Sequence, residues 1–146
     1  RAAVAACMGV GAHLRMVARR REQAEALLSQ FSDSAQAFDW TSSGFRAAVA
    51  DCVLIINCTP IGMSPNIQAS LWPAEVLLPP QAFVYDLIYN PAETQFTRTA
   101  KAAGLRAATG LGMLIEQGAL GFELWTGKTA PRQLMRQAAA EKLRQT

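Results

Sequence analysis

Apolar residues in the first third of the chain follow two alternating spacings. Residues 1 to about 10 have the alanine-rich composition of a helix, and Gly9 or Gly11 is placed to close it in a left-handed conformation. The stretch HLRMVA then alternates apolar and polar side chains, which predicts a short strand. A second helix is predicted by four apolar residues at helical spacing, namely Ala24, Leu27, Leu28 and Phe31.

The middle of the chain continues this alternation. SGFRAAVADC predicts a short helix capped by Ser43, and the continuous apolar run VLIIN predicts a strand covered on both faces. TPIGMSPN is rich in turn residues and predicts a loop, and FVYDLIY predicts the next strand. NPAE then has the pattern of a helix start, with Asn90 as the cap, Pro91 at the first helical position and Glu93 completing a capping box.

The last third predicts one more strand and two more helices. The helix after NPAE is expected to run to Gly104, and LRAAT follows as a short strand. TGLGMLIEQG begins a helix that extends to about Gly127, although a glycine inside a helix costs about 1 kcal/mol relative to alanine. Gly110 and Gly112 are therefore expected to lie where something approaches the backbone closely. A final helix begins near residues 129–131 and is expected to pack four apolar residues, Leu134, Met135, Ala138 and Leu143.

Strands alternate with helices along the whole chain, and this order predicts the fold class. We expect an α/β domain over residues 1–146, with a Rossmann-like, doubly wound and mostly parallel sheet. The chain opens on Arg1 at helical composition, so we interpret it as a fragment lacking the first strand and the glycine-rich loop of that fold. GVGAHL does not supply the loop, because its glycines end a helix and precede a strand.

Composition narrows the classes of function. The 146 residues are 51% hydrophobic, yet no apolar run approaches the ~18 residues of a membrane span. The net charge of +3 comes from eleven arginines and three lysines, which favours a local arginine site over a nucleic-acid surface. Three cysteines without metal-binding spacing and a single histidine argue against a zinc site, and reduced thiols indicate the cytoplasm.

The arginine-rich stretch ARRREQA follows the first predicted strand. In a doubly wound fold this position reads the adenosine ribose, where an acidic residue favours NAD and arginine accommodates a 2′-phosphate. No acidic residue precedes Arg19, so the position favours NADP, with a solvated basic turn as the alternative. Acid–base candidates are few: His13 is expected at the surface, and a buried Asp86 could bind backbone amides. No nucleophile–base pair is evident, so this chain is not expected to carry out proton chemistry alone.

Three longer motifs carry a resemblance to a known family. INCTPIGM, VYDLIYNPAET and GLGMLIEQGALGFELWTG, in this order and spacing, resemble the cofactor-binding C-terminal half of shikimate dehydrogenases, and the similarity covers essentially the whole chain. The resemblance implies reversible reduction of 3-dehydroshikimate to shikimate with NADPH, in aromatic amino-acid biosynthesis. It also implies a separate N-terminal substrate domain, absent from this chain, which contributes the catalytic lysine and aspartate.

The resemblance assigns roles to ten residues. The residues implied in NADP binding are Ala18, Arg19, Arg20, Gln23, Thr59, Leu87, Gly110 and Met113. Those implied in contacts with shikimate are Tyr89 and Gln117, of which Gln117 shares a helix face with Met113. No catalytic residue and no metal ligand is expected within the chain.

The arginine turn departs from the family pattern and leaves alternatives open. The family motif usually reads Asn-Arg-Thr with a further basic residue, whereas this chain has Ala18, Arg19, Arg20 and Gln23. One alternative is a quinate/shikimate dehydrogenase that prefers NAD, and another is a non-catalytic nucleotide-binding remnant. Neither a nucleic-acid nor a membrane partner is expected, and the oligomeric state is left open, with a homodimer included.

Overall fold

The computed structural model describes residues 1–31 and 35–144, so residues 145 and 146 of the expected domain lie outside it. The chain divides into two compact units. The first comprises Arg1–Val53 and Trp72–Gln81, and the second comprises Leu54–Leu71 and Ala82–Thr146. Each strand pair in the described residues is parallel, in a two-stranded sheet and a three-stranded sheet. The expectation of an α/β fold with parallel strands is therefore confirmed.

Among its described residues, the first unit contains three helices and two strands. In chain order they are α1 (Ala2–Gly9), β1 (Leu14–Ala18), α2 (Arg21–Leu28), β2 (Ala35–Asp39) and α3 (Ser42–Val49). The predicted elements up to α2 are confirmed. Gly11, with φ of 73°, adopts the left-handed conformation after α1, and its amide donates to the Met8 carbonyl.

Two features of the first unit differ from expectation. The strand β2 was not predicted, because AQAFD contains no β-branched residue, yet it pairs with β1 along its whole length. The prediction of Ser43 as the cap of α3 was wrong. Thr41 caps the helix, since its hydroxyl accepts a hydrogen bond from the Gly44 amide at 3.1 Å.

The core of the first unit forms around aromatic side chains. Phe45 on α3 is buried and makes edge contacts with Trp40 and Trp72. The Trp72 indole also donates to the Val76 carbonyl at 2.6 Å, so its polar N–H is satisfied where the ring is buried. This packing holds the 72–81 segment against the rest of the first unit.

In the part of the second unit that the structure describes, there are three strands and three helices. They are β3 (Leu54–Asn57), β4 (Phe83–Asp86), α4 (Gln95–Ala102), β5 (Ala107–Thr109), α5 (Leu111–Thr126) and α6 (Arg132–Arg144). The strand order is β3-β4-β5, so β4 is central, and its Val84 is fully buried. The expectation that VLIIN is covered on both faces was wrong at its start, because Leu54 is 43% exposed.

The helix α4 begins later than the sequence pattern indicated. Asn90, Pro91 and Glu93 lie outside the helix, so the predicted NPAE start was wrong. Thr94 is the cap: its hydroxyl accepts from the Thr97 amide, and the Thr97 hydroxyl accepts from the Thr94 amide. A threonine pair therefore forms the capping box that was expected four residues earlier.

The helices α5 and α6 pack together through a small residue and an ion-pair cluster. A Cβ at Gly118 would lie 3.0 Å from Met135 Cε, and Arg132 contacts both Glu116 and Glu123. Gly127, with φ of 67°, ends α5 as expected. The predicted packing of α6 is confirmed for Met135 but wrong for Leu134, which is 63% exposed. Ala138 is also exposed, whereas Leu143 is half-buried.

Candidate functional site

Four of the predicted site residues line one surface pocket of the first unit. The pocket has a volume of about 370 Å³ and lies where β1 ends and α2 begins. Its lining consists of Met16, Ala18, Arg19, Arg20, Gln23, Ala24 and Leu27. The pocket thus combines apolar side chains with two guanidinium groups.

The two guanidinium groups in this pocket are open to a ligand. Neither the Arg19 nor the Arg20 side chain forms an ion pair or a hydrogen bond with residues 1–31 or 35–144. Arg20 is the N-cap of α2, and no side chain accepts a hydrogen bond from the amides of the first turn. Unpaired arginines beside a helix N-terminus without a side-chain cap favour binding of a phosphate group.

Arg21, the third arginine of the run, is directed elsewhere. Its Nε donates to Glu25 Oε1 at 2.7 Å, and its Nη1 lies 3.6 Å from Asp39 Oδ2. The hydrogen bond to Glu25, followed by the charges of Glu25 and Asp39, raises the pKa of Arg21. The structure therefore separates three consecutive arginines into two that line the pocket and one that is already paired.

The second unit brings three other predicted segments together at the carboxyl ends of its strands. The Leu87 amide donates to the Asn57 carbonyl at 3.1 Å, and the Gly110 amide donates to the Ile88 carbonyl at 2.9 Å. These bonds extend the β3-β4-β5 order beyond the strands, so the segments carrying Thr59, Leu87 and Gly110 are neighbours. In open α/β sheets ligands bind at this edge.

Gly110 is required by the protein's own backbone. A Cβ at this position would lie 2.0 Å from the Leu87 carbonyl oxygen and 2.6 Å from its carbonyl carbon. The expected close approach is therefore confirmed for Gly110, with Leu87 as the neighbour. For Gly112 it was wrong, because a Cβ there meets no atom within 4 Å.

A buried polar network supports the same edge. Asp86 is fully buried at the end of β4, and its carboxylate accepts from the Asn57 side-chain amide at 2.9 Å, the Ile88 amide at 3.1 Å and the Thr94 hydroxyl at 2.7 Å. The Asn57 side-chain oxygen in turn accepts from both the amide and the hydroxyl of Thr59 at 2.8 Å. The expectation that Asp86 binds a backbone amide is confirmed.

Sequence patterns did not reveal Thr94 as a member of this network. Thr94 was not singled out, because a threonine in a helical stretch carries no signal of a buried carboxylate partner. Thr59 is half-buried, and its hydroxyl also accepts from the Ile61 amide at 3.2 Å. Its hydroxyl therefore has a structural role in positioning the loop after β3.

The remaining predicted residues lie on α5 and in the segment after β4. Met113 is half-buried and Gln117 is exposed one turn later on the same helix, and Tyr89 is 41% exposed. Among the residues described, the Gln117 side chain makes no hydrogen bond, so its amide is open to a ligand. His13 is exposed, as expected.

Within the described ranges, no group of three or more histidine, cysteine, aspartate or glutamate side chains could hold a metal ion. The same residues include no helix with the length and hydropathy of a membrane span. Parallel strands followed by helices define an α/β protein of the Rossmann-like class.

Comparisons with known proteins identify the family. Residues 110–140 match the model of the shikimate 5′-dehydrogenase C-terminal domain. A curated shikimate dehydrogenase (NADP(+)) of Symbiobacterium thermophilum is 38% identical over 144 residues, covering 94% of this chain and 49% of the relative. These matches place the chain in the shikimate dehydrogenase family, in its C-terminal part.

Two solved structures support the same assignment. A shikimate dehydrogenase in complex with NADP+ is similar with a TM-score of 0.80 and 33% identity, over 97% of this chain and 51% of that one. The shikimate 5-dehydrogenase of Thermus thermophilus, in complex with NADP(H) and shikimate, gives a TM-score of 0.75 and 37% identity, over 91% and 47% of the two chains. The chain spans about half the length of the curated relatives it matches.

Proposed function

We propose that this chain is the NADP-binding part of an NADP-dependent shikimate dehydrogenase. The reaction is the reversible reduction of 3-dehydroshikimate to shikimate by hydride transfer. The observation that carries the proposal is the pocket at the start of α2, where the Arg19 and Arg20 side chains have no partner in the described chain. The names of the curated relatives and the ligands of the similar structures support the same cofactor and substrate.

The pocket fits the adenosine end of NADP by its chemistry. Arg19 and Arg20 would bind the 2′-phosphate, because a guanidinium group matches phosphate in charge and geometry. Ala18 and Gln23 line the same pocket and would contact the adenosine. Bound NADPH supplies the hydride.

The strand ends of the second unit are proposed to position the reacting groups. Thr59, Leu87, Gly110 and Met113 would lie along the nicotinamide side of the cofactor. Tyr89 and Gln117 are both exposed and would donate hydrogen bonds to hydroxyl or carboxylate oxygens of shikimate. We place the proton-transfer residues outside this chain, and we propose a cytoplasmic homodimer as the form of the protein.

A double substitution tests the proposal. In the complete gene product, shikimate and NADP should yield NADPH, and Arg19→Ala with Arg20→Ala should weaken NADP binding far more than NAD binding. Each hydrogen bond to a charged group contributes roughly 1.5–3 kcal/mol, so losing both should cost at least about a hundredfold in affinity. Arg136→Ala, on the exposed side of α6, is the matched control. Equal losses of affinity for NADP and NAD would show that the arginines form only a solvated basic turn. Analytical sedimentation of the same protein tests the proposed homodimer.

A further inference from the structure

Asp39 places a carboxylate beside the arginine pocket. It is the last residue of β2 and pairs in register with Ala18, the last residue of β1, which lines the pocket. The Asp39 side chain is 59% exposed. An acidic residue therefore does lie at this edge of the sheet, on the neighbouring strand, although none precedes Arg19 in the sequence.

Arg21 compensates this carboxylate. Its Nη1 lies 3.6 Å from Asp39 Oδ2 while its Nε is held by Glu25, and Arg21 does not line the pocket. The hydrogen bond to Glu25, one helical turn away, fixes the Arg21 side chain along α2 and leaves its other nitrogens toward β2. Arg21 therefore neutralises Asp39 without occupying the space that a ligand of Arg19 and Arg20 needs.

We propose that Arg21 is a specificity-determining residue, which keeps the pocket selective for a 2′-phosphate by neutralising Asp39. The inference rests on the proposed function. A phosphate monoester carries about 1.5–2 negative charges at neutral pH, so an uncompensated Asp39 would repel it. The same carboxylate would not repel a ribose that bears a free 2′-hydroxyl. Arg21 thus acts indirectly, by neutralising the charge of Asp39, while Arg19 and Arg20 contact the ligand.

The test is a double-mutant cycle on the complete gene product. The variants are Arg21→Ala, Asp39→Asn and the two combined, and calorimetry measures binding of adenosine 2′,5′-bisphosphate and adenosine 5′-monophosphate. Arg21→Ala should weaken binding of the bisphosphate roughly three- to tenfold and change the affinity for the monophosphate by less than about twofold. The combined variant has the same local net charge as the wild type, so its affinity for the bisphosphate should lie within about twofold of the wild-type affinity. Arg21→Lys keeps the charge and should behave as the wild type.

Controls separate the possible explanations. Arg136→Ala removes an exposed arginine of α6 and should not change the preference, and thermal unfolding of each variant verifies that it is folded. At 1 M salt, where the Debye length is about 3 Å, the effect of Arg21→Ala should fall below about twofold. A combined variant as weak as Arg21→Ala overturns the proposal, because Arg21 would then bind the phosphate directly. Unchanged bisphosphate binding in Arg21→Ala overturns it too, since the ion pair would then be only a surface contact.

The wild-type protein distinguishes this inference from the proposed function. If it binds the bisphosphate no more tightly than the monophosphate, the proposed NADP site fails and the inference fails with it. If the wild type prefers the bisphosphate and Arg19→Ala with Arg20→Ala abolishes this preference, the proposed site holds. The behaviour of Arg21 and Asp39 then decides the inference alone.

Discussion

Replacing Gly110 by alanine should destabilise the second unit through one steric conflict. The added Cβ would lie 2.0 Å from the Leu87 carbonyl oxygen, whereas ordinary contacts begin near 3.4 Å, so about 1.4 Å must be opened between two main-chain segments. Gly110 itself has φ of −69°, which alanine adopts without strain. The expected cost is therefore steric and does not come from backbone conformation.

The magnitude follows from the contacts that must move. Overpacking a well-packed site costs about 1–3 kcal/mol, and losing the hydrogen bond from the Gly110 amide to the Ile88 carbonyl adds about 0.5–1.5 kcal/mol. We expect the free energy of unfolding to fall by about 2–4 kcal/mol, which lowers Tm by roughly 5–15 °C for a chain of this size. Urea unfolding of the complete protein, followed by circular dichroism, measures the difference.

Gly112 provides a matched control two residues away. A Cβ at Gly112 meets no atom within 4 Å, and alanine is favoured over glycine in a helix by up to about 1 kcal/mol. Gly112→Ala should therefore be neutral or stabilising. If the two alanine variants differ by less than about 0.5 kcal/mol, the packing of Gly110 against Leu87 is not what requires a glycine, and the reasoning fails.

Three further changes test the site and its support. Gln117→Ala should raise KM for shikimate and lower kcat/KM from a few-fold to about a hundredfold with NADP affinity unchanged; a lower Tm with unaltered kinetics would instead make Gln117 a packing residue. Asp86→Asn should lower the free energy of unfolding by about 2–4 kcal/mol, because an amide N–H would replace an acceptor of buried hydrogen bonds; a chemical denaturation midpoint equal to the wild type would refute this. The hydrogen bond from Arg132, then that from the Ala130 amide, lowers the pKa of Glu123 to about 2 from its usual 4.5, so its contribution to stability is present above pH 4.5 and is lost toward pH 2. Glu123→Gln should consequently melt lower than the wild type at pH 7 but not near pH 2, and a pH-independent difference in Tm would contradict the assignment.

Local patterns predicted most elements of this chain, and the exceptions have physical causes. The strand β2 lacks β-branched residues, so its formation depends on pairing with β1, which no local pattern encodes. NPAE has a stronger capping signature than Thr94, but Thr94 also donates to the buried Asp86, and this long-range bond accompanies the later helix start. Leu134 and Met135 are both apolar residues of α6 and were both predicted to pack. Of the two, only Met135 contacts α5 at Gly118.

The candidate site was predictable where chemistry resides in a single segment. The arginine turn identified the pocket residues, because all four lie within six positions of one another. Asp39 was not predicted, because it lies on a different strand. Only the pairing of β2 with β1 brings it next to Ala18 at the edge of the pocket. Arg21 differs from Arg19 and Arg20 in two ways: Glu25 lies at the local i,i+4 spacing and accepts its hydrogen bond, whereas Asp39 comes near it only through the pairing of β1 with β2.

The buried Asp86 network has a consequence for the thermodynamics of ligand binding. Fixing the backbone of one loop residue costs about 1–2 kcal/mol of conformational entropy, and a ligand that orders a loop must supply that free energy from its own contacts. Here Asp86 and Asn57 hold the Thr59 loop and the start of the 87–89 segment through hydrogen bonds made within the protein. This entropy is therefore lost during folding, so these strand ends are preorganised and binding there should proceed with little ordering of the backbone.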